Sequence, residues 1–125
     1  MTRPEAEAFA EKWAEAWNAL DLERVLRHFS ETVVFSSPKA LEAVGSPTVL
    51  GRHALRAYWS TALAKIHRLH FRIDHIVWDR DTQVLAIIYD REVNGHRDRA
   101  VELLEFQSDG LICRGEVFYG VVPSG

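Results

Sequence analysis

The fold of this chain is decided by residues 84–106, whose sequence is VLAIIYDREVNGHRDRAVELLEF. Two apolar-rich runs, Val84–Val93 and Arg99–Phe106, lie on either side of Asn94-Gly95. Asn-Gly between such runs is a strong hairpin signal, because a type I′ turn needs positive φ at both central residues. The stretch therefore predicts two antiparallel strands joined by a tight turn.

Two further strand-like runs flank this hairpin. Leu69–Trp78 precedes it and is separated from it by the turn residues 79–81, and Ile112–Val122 follows it after Asp109-Gly110. Aspartate and glycine favour turns, and Asp-Gly favours type I′ in particular. The second half of the chain is therefore predicted to be a four-stranded antiparallel meander.

The first part of the chain shows helical spacing instead. Thr2 and Glu5 have the spacing of a capping box, and apolar residues recur at helical intervals from Phe9 to Leu20. Asp21 is a suitable cap for a second, short helix. The apolar face of that helix is predicted to contain Leu22, Val25, Leu26 and Phe29.

The middle of the chain supplies one strand and one helix. Val33–Phe35 is strand-like, residues 39–50 are predicted to be a loop that folds over a pocket mouth, and a helix is predicted to open at Gly51. Its buried side is predicted to contain Leu55, Tyr58, Trp59, Ala62, Leu63 and Ile66. The class is α+β, one domain over residues 1–125, with helices covering a curved sheet and enclosing a pocket.

Composition excludes several functional classes. With 125 residues, 47% hydrophobic content and a net charge of −3, the sequence is typical of a globular domain without the basic footprint of nucleic-acid binding. Its longest apolar run, near Val84–Tyr89, is too short to span a membrane, and its polar start lacks a signal peptide. A single cysteine, Cys113, excludes an intrachain disulfide, so a cytoplasmic location is expected.

The sequence does not predict a metal or a cofactor. The six histidines are scattered, and none has a carboxylate or cysteine at a recognised ligand spacing. No glycine-rich phosphate loop is present. Cys113 is predicted to be a buried, inward-facing small side chain of the last strand.

The order of elements resembles the nuclear transport factor 2-like superfamily, and within it the SnoaL-like group. Three stretches and the closing hairpin carry the resemblance, namely Ala16–Val25, Val33–Pro38, Gly51–Trp59 and Phe106–Tyr119. It implies a cone-shaped α+β barrel and commonly a homodimer. It does not imply one activity, because the group includes polyketide cyclases, ketosteroid isomerases, dehydratases, epoxide hydrolases and binding domains without chemistry.

The resemblance to ketosteroid isomerases assigns roles to three positions. Glu102 falls where those enzymes hold a protonated aspartic acid that donates to an oxyanion. Ser37 replaces their general base, and Trp13 replaces their tyrosine donor. An indole N–H can donate one hydrogen bond but cannot transfer a proton. Ketosteroid isomerisation is therefore not expected.

Strand alternation gives Glu102 two readings. In the register that the resemblance implies, Ala100 and Leu104 also face inward, as do Tyr89 and Arg91 on the preceding strand. A carboxylate among apolar side chains must be paired or protonated. Glu102 is therefore either a neutral acid that faces a ligand or one half of a buried ion pair with Arg91.

The predicted function is binding of a small hydrophobic or aromatic molecule in the cone pocket. The alternative is an enzyme of the cyclase, isomerase or dehydratase type that uses Glu102 as acid or base. For the aromatic residues, the competing interpretation is that they only fill the core. The ligand-binding candidates are Trp13, Trp17, Ser37, Tyr58, Tyr89, Arg91 and Tyr119.

A homodimer is also predicted from the strands themselves. In residues 99–106 both faces carry apolar side chains, with Val101 and Leu103 pointing outward, and the same holds for Val84–Val93. A one-sided sheet in a monomer should alternate more cleanly between apolar and polar residues. The outer sheet face is therefore expected to meet a partner, the alternative being a monomer with a partly apolar outer face.

Overall fold

The structure, a computed structural model, describes residues 1–123 and contains four helices and six strands in that range. The helices are α1 (Arg3–Asn18), α2 (Leu22–Leu26), α3 (Pro38–Val44) and α4 (Arg52–Leu63). The strands are β1 (Phe29–Ser36), β2 (Thr48–Leu50), β3 (Leu69–Asp79), β4 (Val84–Val93), β5 (His96–Phe106) and β6 (Ile112–Gly120).

The strands form one sheet in the order β2-β1-β6-β5-β4-β3. Only β1 and β6 run parallel, and the other neighbours are antiparallel. The sheet curves under the helices without closing, so that β2 and β3 are its two edges. The predicted α+β class and the four-stranded meander are confirmed.

Helix α1 is fixed at both ends. At its start the Thr2 hydroxyl accepts from the Glu5 N–H at 3.3 Å and Glu5 accepts from the Thr2 N–H at 2.9 Å, which confirms the capping box. At its end the Asn18 amide donates to the Phe71 carbonyl at 3.0 Å and accepts from the Phe71 N–H at 2.6 Å. The helix therefore lies in one position across β3, with its apolar stripe on the sheet.

The two predicted Gly turns differ. Asn94 and Gly95 have φ values of 51° and 85°, which confirms a tight turn with positive φ at both central residues. At Asp109-Gly110 only Gly110 has positive φ, at 85°, so a type I′ turn was the wrong prediction there. The Asp109 side chain instead accepts from the Leu111 N–H at 2.9 Å and stabilises a longer connection.

Residues 39–50 are not a loop, which corrects the prediction. Pro38 occupies the first turn of α3, the Ser37 hydroxyl caps it by accepting from the Lys39 N–H at 3.2 Å, and Gly45 ends it with a φ of 78°. The segment then adds β2 to β1 in antiparallel register. The alanines and the single glycine of this segment therefore belong to a short capped helix.

Two side chains lie on elements other than those predicted. Phe29 begins β1 instead of completing the face of α2, since α2 ends at Leu26. Cys113 was predicted to face inward, but the ladder between β5 and β6 shifts near Phe106, which places Ile112 inside. The thiol of Cys113 consequently approaches Glu105 Oε2 at 3.4 Å.

The two faces of β5 have different surroundings. Ala100, Glu102 and Leu104 are buried under the helices, as alternation predicted. Val101 and Leu103 lie on the outer face and are only half-buried in a single chain. The neighbouring strands add further apolar side chains to this outer face, which we call the outer sheet face: Val77, Ala86, Ile88 and Phe118.

Candidate functional site

A cavity of about 70 Å³ lies between the helices and the inner face of the sheet, and we call it the inner cavity. It is lined by all eight residues that the sequence predicts for a site: Trp13, Trp17, Ser37, Tyr58, Tyr89, Arg91, Glu102 and Tyr119. The remaining lining residues are Phe35, Trp59, Phe71 and Val117. The structure thus brings the predicted residues together, and their roles stay predictions.

Glu102 is the buried acid of this cavity, with 4% of its surface exposed. The Tyr89 hydroxyl donates a hydrogen bond to Glu102 Oε1 at 3.1 Å. Burial raises the pKa of Glu102 to about 7, and the Tyr89 hydrogen bond and the charge of Arg91 both oppose that rise. Near neutral pH this carboxyl group can therefore either donate or accept a proton.

Arg91 forms its ion pair with Asp98 and not with Glu102. Arg91 Nη1 donates to Asp98 Oδ2 at 3.1 Å, with 11% and 18% of the two side chains exposed. Within residues 1–123 no ion pair joins Arg91 to Glu102. The register explains this, since Arg91 lies opposite Asp98 on β5 while Glu102 lies opposite Ile87.

Arg91 and Asp98 lie in a hairpin whose charged residues are partly buried. The mixed charges of residues 90–99 are typical of a solvated hairpin, but Arg91 points inward and its guanidinium lies 4.8 Å from the centroid of the Tyr119 ring. On the outer face Asp90 is also largely buried, because Arg72 and Arg99 bind it at 2.7 Å and 3.0 Å. This hairpin therefore carries two separate ionic groups, one on each face.

Aromatic rings hold the polar groups in place. The Tyr89 ring lies edge-on to Trp13 with 4.9 Å between centroids and packs on Phe71 at 4.9 Å. Burial raises the pKa of Tyr89 well above its ordinary value, so its hydroxyl remains a neutral donor to Glu102. Trp17 contacts Trp59 edge-on at 5.0 Å. Trp13 and Trp17 therefore serve the core and also form the cavity wall.

Trp13 offers a hydrogen-bond donor with no partner in the described part of the chain. Its indole Nε1 is buried and makes no hydrogen bond there, and the residue is 2% exposed. A buried donor without a partner costs about 1–3 kcal/mol. Trp13 also lines the inner cavity, so the partner of this donor is to be sought in a molecule bound there.

Ser37, Tyr58 and Tyr119 form the side of the cavity next to α3. Burial raises the pKa of Tyr58, and it raises the pKa of Tyr119 to about 12, while the nearby Ser37 hydroxyl opposes both shifts. Lys39 lies 4.7 Å from the centroid of the Tyr119 ring. Both phenols are therefore neutral donors near neutral pH, and Lys39 and Arg91 both lie over the Tyr119 ring.

Four lining residues and one ion partner were missed in the sequence. Phe71 could have been found, because it lies on the inward positions of β3 directly opposite Arg91. Trp59 was predicted to be buried, but Tyr58 beside it was chosen for the site, and both line the cavity. Val117 was expected on the inward face without a role, and Phe35 carries no signal beyond its strand position. Asp98 was missed since a charge pair in a hairpin is usually solvated.

Two further observations concern sites of other kinds. Among residues 1–123 no cluster of three or more His, Cys, Asp or Glu side chains is arranged to hold a metal ion. Within the same residues no helix is both long enough and apolar enough to cross a membrane.

The fold and its enclosed pocket define a nuclear transport factor 2-like protein. The sequence profile of the SnoaL-like domain matches residues 10–115, which is most of the chain. The chain therefore belongs to the SnoaL-like domain family, as the resemblance implied. A search of curated proteins gave no significant match.

Solved structures agree with this assignment. A SnoaL-like protein of unknown function from Burkholderia thailandensis is 29% identical, with 95% of this chain and 97% of that chain covered and a TM-score of 0.86. A protein with a cystatin-like fold from Methylobium petroleophilum is 22% identical, with coverage of 99% and 81% and a TM-score of 0.78. The protein TerC, co-crystallised with polyporic acid, is 14% identical, with coverage of 91% and 90% and a TM-score of 0.75. The last two show the fold alone.

Proposed function

We propose that this protein binds a small, largely apolar molecule whose oxygen atom enters the inner cavity. The observation that carries the proposal is that two buried polar groups, the Glu102 carboxyl and the Trp13 indole, belong to residues that line one cavity. Glu102 is buried without an ion partner in the described residues, and the indole N–H of Trp13 is buried without a hydrogen-bond partner there. A ligand hydroxyl would accept from the indole N–H and donate to the Glu102 carboxylate, and a carbonyl oxygen would accept from the indole N–H and from the protonated Glu102 carboxyl group.

Aromatic and polar side chains share the walls of the inner cavity. Trp17, Phe35, Trp59 and Phe71 lie beside tyrosine hydroxyls, Arg91 and Glu102, and aromatic walls with placed polar groups are typical of small-molecule sites. The neighbour TerC was co-crystallised with polyporic acid, which supports a small organic ligand at the level of the fold.

A second function, acid–base catalysis of the cyclase, isomerase or dehydratase type, is favoured by one specific observation. Arg91 is engaged by Asp98, so that Glu102 keeps a pKa of about 7 instead of being held ionised by an ion pair. Tyr89, Tyr119 and Ser37 would then orient the substrate oxygen. Ketosteroid isomerisation is not proposed, because Ser37 cannot replace an aspartate base and Trp13 cannot transfer a proton.

A ligand screen tests binding directly. A panel of aromatic and isoprenoid ketones is added to the protein while tryptophan emission and the melting temperature are recorded. We expect saturable quenching and a rise in melting temperature by mass action. Absence of both signals across the panel would leave the aromatic cluster as a plain hydrophobic core.

The role of Glu102 is tested with a matched pair of variants. Glu102→Gln removes the inward carboxyl group of β5, while Glu105→Gln removes a carboxyl group from its outer face. We expect only Glu102→Gln to weaken the binding of ligands that carry an acceptor oxygen. Where a compound of the panel is converted, we expect only this variant to abolish turnover. Equal effects of the two variants would contradict a site at Glu102.

We also propose a homodimer that buries the outer sheet face. Val101 and Leu103 are half-buried in the single chain, and Phe118 beside them is 49% exposed. The ionic group of Asp90, Arg72 and Arg99 lies on the same face and gives it alternating charge at one end. A two-fold axis through the outer sheet face would place the same apolar side chains of the two chains against each other.

A further inference from the structure

A larger hollow lies on the surface between α3, β2 and α4, and we call it the outer cleft. Its volume is about 600 Å³, and no charged side chain is among the described residues that line it. The cleft is lined on one side by Ala54, Ala57 and Thr61 of α4. Val44 and Leu50 line it as well. Leu50 is 69% and Val44 54% exposed, so the cleft presents apolar surface to solvent.

Tyr58 is a wall of both the outer cleft and the inner cavity. The residue is 8% exposed. Its hydroxyl is influenced by Ser37, Glu102 and Arg91, which places the hydroxyl toward the inner cavity. Tyr58 is therefore the one lining residue that the two spaces share among the described residues.

The size of the inner cavity limits what it can hold. About 70 Å³ accommodates a few water molecules, and a cavity of roughly 150 Å³ is needed for a benzene molecule. Ligand pockets usually measure about 300–1,000 Å³. A whole ligand therefore does not fit inside, whereas the inner cavity and the outer cleft together reach that range.

We propose that the ligand is an elongated amphiphile, with a small carbonyl or hydroxyl head in the inner cavity and an apolar tail in the outer cleft. Tyr58 swings aside to connect the two spaces. This inference rests on the proposed function, because it names the ligand class of the same site. The head meets Glu102 and Trp13, and the tail covers the exposed Val44 and Leu50.

A second surface hollow is the competing path for the tail. It measures about 410 Å³, shares Ser37, Val117 and Tyr119 with the inner cavity, and also contacts Glu116. It is smaller than the outer cleft and carries a carboxyl group, which an apolar tail would have to desolvate. The outer cleft is therefore the better match.

Straight-chain 2-alkanones from 2-butanone to 2-undecanone test the inference as probes. Binding is followed by calorimetry and by the indole N–H resonance of Trp13, assigned with Trp13→Phe. We expect every bound ketone to shift this resonance, because its oxygen accepts from the indole. We expect Kd to fall about fourfold per added methylene, the factor that corresponds to about 0.8 kcal/mol per buried CH₂.

Two blocking variants locate the tail. Ala57→Phe fills the outer cleft from the exposed face of α4, and Glu116→Phe places the same side chain in the competing hollow. We expect only Ala57→Phe to abolish the dependence of Kd on chain length while leaving 2-butanone bound as before. Thr61→Phe, one turn further along the same helix face, replaces Ala57→Phe if that variant does not fold.

The outcomes separate this inference from the function on which it rests. If 2-butanone shifts the Trp13 resonance but longer ketones bind no better, or if Glu116→Phe is the blocking variant, the tail site is overturned and the head site stands. If no ketone binds, both are overturned. Leu50→Asp should weaken the binding of the long ketones only. A loss of dimer mass in that variant would mean that a second copy of the chain covers the outer cleft.

Discussion

Arg91 and Asp98 face each other across β4 and β5, with 3.1 Å between Nη1 and Oδ2. Asp98 thus binds Arg91, the one buried cation close to Glu102 among the described residues. The charge of Arg91 therefore lowers the pKa of Glu102 without an ion pair between them, and the carboxyl group remains able to exchange a proton near neutral pH.

The first prediction concerns energetic coupling within this group. In a double-mutant cycle of Arg91→Met with Asp98→Asn at pH 6, we expect a coupling free energy above about 1 kcal/mol, because the pair is largely removed from water. The cycle of Arg91→Met with Glu102→Gln should give less than about 0.5 kcal/mol. Urea unfolding measures both coupling free energies. A larger value for Arg91 with Glu102 than for Arg91 with Asp98 would indicate that Arg91 forms its ion pair with Glu102.

The second prediction concerns pH. Folding raises the pKa of Glu102 from 4.5 to about 7, so the folded state binds this proton more tightly than the unfolded state does. Relative to Glu102→Gln, the wild-type protein should therefore lose roughly 3 kcal/mol of stability as pH rises from about 4.5 to above 7. Unfolding curves from pH 4.5 to 8 give this difference, for which Glu105→Gln is the control. A flat difference would contradict a raised pKa.

The third prediction concerns the hydrogen bond between Tyr89 and Glu102. Tyr89→Phe removes a donor that favours the ionised carboxylate, so the pKa of Glu102 should rise further above about 7. The midpoint of the pH-dependent stability difference should move upward accordingly. Tyr119→Phe, which removes a phenol that makes no hydrogen bond to Glu102 in the described residues, should leave the midpoint in place.

The fourth prediction concerns assembly. Sedimentation at micromolar concentration should report about twice the chain mass of 14.3 kDa. Leu103→Asp on the outer sheet face should shift the protein to the single-chain mass, since a buried interface does not tolerate an unpaired charge. A wild-type protein that sediments as a single chain would disprove the dimer.

The fifth prediction concerns the approach of β1 to β6 under the cavity. A Cβ added at Gly115 would lie 2.9 Å from Phe35 Cδ1 and 3.3 Å from Leu104 Cδ2, whereas one at Gly120 of the same strand would meet its nearest atom at 4.0 Å. Gly115→Ala should therefore destabilise the protein by about 1–3 kcal/mol. Gly120→Ala should have little effect, and equal effects in thermal melts would show that Phe35 adjusts freely.

Much of the fold could be predicted because local signals agree with the tertiary structure. The capping box at Thr2, the turn at Asn94-Gly95 and the alternation around Glu102 each act through a few neighbouring residues. Residues 39–50 could not be predicted, because α3 is only seven residues long and depends on its caps, Ser37 and Gly45, more than on any apolar periodicity.

The candidate site could also be predicted only in part from the sequence. Alternation together with the resemblance placed Tyr89, Arg91 and Glu102 on the inward face, since a strand has a fixed period of two. The choice of Asp98 as the partner of Arg91 depended on the register of the hairpin, and the position of Cys113 depended on a shift in the ladder near Phe106. Neither is encoded in the pattern of apolar residues.

The parallel pairing of β1 with β6 has a consequence for the order of folding. β6 lies between β1 and β5, so the last strand of the fold is inserted between elements that come earlier in the chain. It also supplies Val117 and Tyr119 to the cavity wall. During synthesis, helices and hairpin can form as they leave the ribosome, but a nascent chain that lacks residues 112–120 has no enclosed site. Ligand can therefore stabilise only chains whose translation has passed the final strand.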